Sequence, residues 1–364
     1  MKEIVIEPGV IAPQNSSYLF GTSGSNTGFN STTNILGLEN LNVSSVTNMK
    51  GIFAEIPVLN FNGLHNWDTS KVQDMSAMFY RTKAQEFKIN SWNTTSVTNM
   101  KEMFWGGQAL TQLDLSSWNI VNVTDMTRMF TWASALQELN ISGWDTQGSK
   151  NLTEIFMGTS SLSTLVLGTN TIMNSTTALP AVDATSGQYS GGWERVSPST
   201  PSSIYQSSDL FMMNYSGSEP GTYVWQTNKA VIVAKDSTLN VGDTWKEEDN
   251  FVSATDVSGN PLSFSDITVT GKVDTSKVGV YPITYTNGSV SQTVNVTVIG
   301  DTFLPSSDSK LNNMPHPNTE SVNTKELPKT GENERMTMMS IILGLFLLTL
   351  GVVASIFRFK KVNK

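Results

Sequence analysis

A fixed internal period constrains this chain more than any other feature of it. Ser91–Phe104 reads SWNTTSVTNMKEMF: tryptophan and an Asn or Asp, a valine, an Asn or Asp followed by methionine, then a hydrophobic pair ending in phenylalanine. The motif returns at Phe79 and Phe130, with degraded copies at Phe53 and Phe156. These phenylalanines are 26, 25, 26 and 26 residues apart, and Trp67, Trp92, Trp118 and Trp144 keep the same step. Such a period predicts a solenoid, whose units bury their apolar faces only against one another.

Within a copy, Met100, Met103 and Phe104 follow Asn99 with the i, i+3, i+4 spacing of one helical face. The equivalent sets are Met49/Ile52/Phe53, Met75/Met78/Phe79, Met126/Met129/Phe130 and Leu152/Ile155/Phe156, each preceded by Asn48, Asp74, Asp125 or Asn151. A capping side chain before an apolar set predicts a helix of one or two turns, too short to stand without stacking. Next comes L-x-x-L-x-L, at Leu110/Leu113/Leu115, Leu136/Leu139/Ile141 and Leu162/Leu165/Leu167, with the variants Ile56/Leu59/Phe61 and Ala84/Phe87/Ile89. The last two positions alternate as a short strand does, so stacked copies predict a narrow parallel sheet. The Met and Phe stripes are assigned to core and not to a cofactor box. Asp68, Asp145, Asn93 and Asn119 recur once per copy and are expected to bond turn backbone.

The combination L-x-x-L-x-L…W-[DN]-[TI]…V-[TQ]-[DN]-M…M-F resembles the leucine-rich repeat of BspA-type bacterial surface proteins, over roughly Leu36 to Leu167. The first copy departs from it, with Leu41 at the tryptophan position, and so does the last, where Ser149-Lys150-Asn151-Leu152 replaces Val-Thr-Asp-Met. Atypical ends suit the caps of a repeat array. The expected fold class is therefore an α/β leucine-rich-repeat solenoid of short strands and short helices. An all-β immunoglobulin-like sandwich and a C-terminal transmembrane helix are expected to follow it.

Composition narrows the function. The 364 residues include no cysteine, which excludes disulfides and thiolate metal sites. Few residues are charged while Asn, Ser and Thr abound, a composition that fits an exported β-rich protein. Formal charge is −8, and the tail from Gly331, with five basic and two acidic residues, leaves the remainder at −11. That surface lacks the basic footprint of a nucleic-acid binder, and no nucleic-acid partner is expected.

Taken in order, residues 1–35 form an N-terminal segment or cap, with Ile4-Val5-Ile6 expected as a strand over the first repeat. The opening MKEIVIEPGVIAPQNSS has no apolar h-region and carries Glu3 and Glu7, unlike a secretory signal. Since the other end of the chain calls for export, the true N-terminus is expected to be missing. Residues 36–167 are the repeats. Residues 168–228, with Tyr189, Trp193, Tyr205, Phe211, Tyr215, Tyr223 and Trp225, are expected to close the array. Residues 229–299 alternate with period two in Gly279–Tyr285 and Thr293–Val298, around a turn at Asp256–Pro261. Val241-Gly242-Asp243-Thr244-Trp245 and Gly279-x-Tyr281-x-x-x-Tyr285 look like bacterial immunoglobulin-like modules, which implies a spacer. Residues 300–326, rich in Ser, Asn and Pro, are expected to be a disordered tether.

Residues 327–364 carry Leu327-Pro328-Lys329-Thr330-Gly331, an uncharged run over 336–357, then Arg358-Phe359-Lys360-Lys361. About 20 apolar residues span a bilayer as a helix, and trailing cations favour the cytoplasmic side. The three parts resemble the sorting signal of Gram-positive cell-wall proteins. The resemblance implies that a sortase cuts after Thr330 and joins Thr330 to peptidoglycan, so the membrane is occupied only transiently.

No catalytic constellation is present. His65 and His316 have no partner at metal spacing, and no H-E-x-x-H, Walker A, G-x-S-x-G or EF-hand loop occurs. Neither an enzyme nor a cofactor is expected. The outward strand positions Asn60, Lys88, Asp114, Asn140 and Val166 form a mostly polar ribbon and are the candidate ligand face. Tyr80, Trp105 and Trp132 are its candidate hot spots. The expected function is a secreted, peptidoglycan-anchored surface protein whose repeats bind an extracellular protein or glycan. The alternatives are a structural wall protein with no dedicated ligand and, for want of a site less favoured, a carbohydrate-active enzyme.

Overall fold

The computed structural model describes residues 2–22, 29, 31–148, 150–197, 203–288 and 290–300. The tether from 301 on, the Leu327–Gly331 pentapeptide and the 336–357 run lie outside the described residues.

The repeats stack in parallel, but not through helices. Asn15, Asn48, Asp74, Asn99, Asp125 and Asn151 form one row of single-residue parallel bridges. Each of the last five accepts the amide two residues on with its Oδ1, at 2.8–3.1 Å in the five copies. The chain does not then wind into a helix, because the residue three after each Asx is left-handed: Gly51, Ala77, Glu102, Arg128 and Glu154 have φ of 53–59°. A left-handed residue turns its amide out of the local coil. Alternate N–H groups therefore reach the next copy. Met100, Glu102, Phe104 and Gly106 donate to the carbonyls of Asp125, Thr127, Met129 and Thr131 at 2.8–2.9 Å. The pattern repeats at the interfaces on either side, and bonds such as Met103 N–H to Met100 O fill the alternate positions.

Two aromatic columns run along the stack. Phe53, Phe79, Phe104, Phe130 and Phe156 are near-parallel, with centroids 5.5–6.1 Å apart. Trp67, Trp92 and Trp118 stack at 6.2–6.3 Å. Each indole Nε1 donates to a carbonyl of the preceding copy: Trp67 to Leu38, Trp92 to Leu64, Trp118 to Ile89 and Trp144 to Leu115. Asp68, Asn93, Asn119 and Asp145 accept turn amides two residues on.

The N-terminal segment adds a sixth copy that the period did not reveal. Ser16, Tyr18, Phe20 and Thr22 donate to Asn48, Lys50, Ile52 and Ala54, Tyr18 is left-handed, and Phe20 stacks on Phe53 at 5.5 Å. Its phenylalanine lies 33 residues before the next, out of step with the rest. Strand β1 (Glu3–Val5) pairs in parallel with β2 (Asn34–Leu36) in this copy.

The predicted strands appear only late in the array. β3 (Gln112–Asp114), β4 (Glu138–Asn140) and β5 (Thr164–Leu167) pair in parallel, with Asp114 beside Asn140 and Asn140 beside Val166. In the first copy Pro57 cannot donate to a ladder. There Val58 is buried and Leu59 is 66 % exposed, the reverse of the expected alternation. β6 (Tyr189–Ser197), β7 (Ile204–Tyr205) and β8 (Gly221–Thr227) extend the sheet antiparallel, in the order β3-β4-β5-β8-β6-β7. Helix α1 (Ser208–Asn214) packs Phe211 among Trp193, Tyr205, Tyr215 and Tyr223. The Tyr215 hydroxyl donates to Gly168 O at 2.9 Å. Where the last copy departs from the motif, the Lys150 ammonium donates to the carbonyls of Ile120, Val121 and Val123.

The final part is a β-sandwich. One sheet orders β10 (Ser237–Asn240), β15 (Val290–Ile299), β14 (Gly279–Asn287) and β13 (Thr268–Thr270). The other orders β12 (Pro261–Leu262), β11 (Phe251–Thr255) and β9 (Val231–Ala234). Ile232, Ala254, Ile283, Tyr285, Val294 and Val296 fill the space between them. All pairs are antiparallel except β10 with β15.

The expected α/β leucine-rich-repeat solenoid is therefore corrected to a β-rich, turn-rich fold with few helices. Among the described residues no copy contains an α-helix, and α1 lies beyond the repeats. The transmembrane helix expected over 336–357 lies outside the described residues, and among the described residues no helix is long and apolar enough to cross a membrane.

Candidate functional site

Four of the candidate residues line two open grooves beside the early copies. Asn60 and Lys88 line the first, of about 570 Å³, with Glu39, His65 and Glu86. Its walls carry charges of both signs beside three asparagines. Asp114 and Asn140 line neither groove, and each uses its Oδ1 on a turn: Asp114 for Ser116 N–H at 3.0 Å, Asn140 for Ser142 N–H at 3.1 Å.

The second groove, of about 750 Å³, is lined by Trp105 and Trp132 with Arg81, Lys83, Gln85 and Gln108. Leu59, displaced outward by the register at Pro57, borders both. Tyr80 stacks on Trp105 at 4.7 Å, and the Arg81 guanidinium lies 5.0 Å from the Trp105 centroid and 5.6 Å from that of Tyr80. Arg81 also pairs with Glu55 of the previous copy at 3.4 Å. Desolvation, ahead of the opposing Arg81 charge, raises the Tyr80 hydroxyl above its ordinary pKa, so Tyr80 is a neutral donor at physiological pH. Trp132 is 49 % exposed. Sequence reasoning found the three aromatics but missed Arg81, Lys83 and Gly106. Comparing the copies column by column at the residue seven after each Asx would have exposed Arg81 and Gly106, but not Lys83.

Chemically, the second groove offers aromatic faces, amides and cations. Among the described residues no group of three His, Asp or Glu side chains is placed to hold a metal ion. The sorting residues Leu327, Pro328, Lys329, Thr330 and Gly331 lie outside the described residues.

Residues 24–135 and 47–168 match the family described as "Mycoplasma protein of unknown function, DUF285", and 232–298 match the bacterial Ig-like domain (group 3). Such repeats joined to a bacterial Ig-like domain define a surface protein, extracellular in setting. No curated protein matches the chain. A solved structure of the M60 catalytic domain with the CBM51-1 and CBM51-2 domains from Clostridium perfringens ZmpB is similar at 11 % identity and a TM-score of 0.18. The alignment covers 32 % of this chain and 16 % of that one.

Proposed function

We propose that this is a peptidoglycan-anchored surface protein of the BspA-like type. In it the repeats bind an extracellular partner and the Ig-like domain holds them away from the wall. One observation carries the anchoring: Leu327-Pro328-Lys329-Thr330-Gly331, an uncharged run of membrane-spanning length and a basic tail follow one another in order. The apolar run would hold the exported chain at the membrane while an extended pentapeptide enters the sortase cleft. Thr330 would then become the covalent link to peptidoglycan. The residues act as a substrate, and nothing in the proposal requires catalysis by this chain. The exposed Trp132 and half-buried Trp105, beside amides and cations in the second groove, support a binding role over a purely structural one.

The test is fractionation of a Gram-positive host with an active sortase. The natural chain is expected in the wall fraction, released only by muralytic digestion. Thr330→Ala is expected in membrane or medium. Wall attachment that survives the substitution rejects sortase anchoring.

A further inference from the structure

Seven residues after each Asx stands a second left-handed position, occupied in turn by Glu55, Arg81, Gly106, Trp132 and Gly158. Their φ values, 54–74°, are alike, and three of the five are not glycine. The backbone therefore does not by itself require glycine at 106. A Cβ at Gly106 would lie 3.0 Å from the Arg81 side chain, so glycine there lets Arg81 lie against it and adds no side chain of its own. A Cβ at Gly158 would lie 2.5 Å from the Trp132 ring, so Trp132 lies down over Gly158 and away from Gly106. Arg81 and Trp132 stand two copies apart with no side chain from position 106 between them, and this notch is part of the open groove that they line with Trp105 and Gly106.

We propose that this notch binds an acidic sugar, a uronate or sialate residue of a glycan. The exposed Trp132 offers an apolar platform for the C–H face of a pyranose. Gln85 and Gln108 offer amides for hydroxyls, and Arg81 and Lys83 offer charge for the carboxylate. The body of the chain is acidic, yet no carboxylate lines this groove. Lys83 makes no ion pair among the described residues.

Two other ligand classes fit less well. A phosphate cradle needs free amides. Those of Arg81, Gly106 and Trp132 already donate to Trp105, Thr131 and Met157. A peptide added as a strand needs an unpaired strand edge, and no strand lines the groove.

The assignment rests on the binding role proposed above and is tested apart from it. The purified full chain in detergent is titrated with 3′-sialyllactose and a hyaluronan tetrasaccharide, followed by tryptophan fluorescence and saturation-transfer NMR. Lactose and an Asp/Glu hexapeptide serve as counterparts. At least one acidic sugar is expected to bind, about tenfold or more tighter than lactose. Trp132→Ala, and Gly106→Arg, which fills the notch with the side chain found one copy earlier, should each weaken binding by about tenfold or more. Lys272→Ala, an exposed position in the sandwich, should leave it unchanged. Silence with both acidic sugars, equal binding of lactose, preference for the peptide, or undiminished binding by the folded variants would overturn the proposal. Cells that adhere through the natural chain and adhere equally with Trp132→Ala would sink the notch but leave the surface-binding role standing.

Discussion

Glu102 shows why helical spacing did not become a helix. It sits at φ 58°, where a Cβ is disfavoured, and its amide crosses to Thr127 O at 2.9 Å. An isolated helix of one or two turns is marginal in water, whereas one cross-copy bond at every second residue serves the same donors. Left-handed geometry costs a non-glycine residue about 1–2 kcal/mol. The first copy has glycine at the equivalent position, Gly51. Glu102→Gly should therefore raise stability by about 0.5–1 kcal/mol, the strain relieved less the entropy glycine adds to the unfolded chain. A urea midpoint that falls instead would show that the Glu102 side chain contributes more than its backbone strain costs.

At the scale of one element, each copy is tied to its neighbour through the tryptophan as well as the backbone. Trp118→Phe keeps an aromatic ring in the column but removes the bond from Nε1 to the buried Ile89 carbonyl, 3.0 Å long. The loss should be about 2–3 kcal/mol, read by denaturant titration. In the closing element, desolvation is the largest cause raising the Tyr215 hydroxyl, to about 12, and it also pushes up Tyr205 and Tyr223. In the unfolded chain these phenols ionise near pH 10. Their contribution is then full below about pH 10 and is lost as pH rises toward the folded values. Alkaline unfolding of the segment around α1 is expected between about pH 10 and 12, with the 295 nm phenolate band rising as the near-UV dichroism collapses. Phenolate absorption that grows before any loss of dichroism would show that the cluster is open to solvent.

At the scale of the whole molecule, the division into repeats, closing segment and sandwich could be read from patterns of different period. The bridged Asx row and the buried Met and Phe sets fall where the repeat places them. The sixth copy, Asn15–Phe20, was hidden because a longer connection separates it from the next. The second groove was half legible. Tyr80, Trp105 and Trp132 stand out as loop aromatics, but Gly106 is notable only once five copies are laid over one another.

The chain's sequence alone determined the period, the stacking residues and the two-period organisation, because side-chain chemistry repeated in register leaves few ways to bury it. Only the tertiary structure decided that each turn would be a left-handed zigzag and not a helix. It also decided that the L-x-x-L-x-L segments would pair as strands only from Gln112 onward, and that position 106 would put no side chain between Arg81 and Trp132. The reason is common to all three: each depends on where a backbone amide finds its acceptor. For most of these amides the acceptor lies in the neighbouring copy, some 25 residues along the chain.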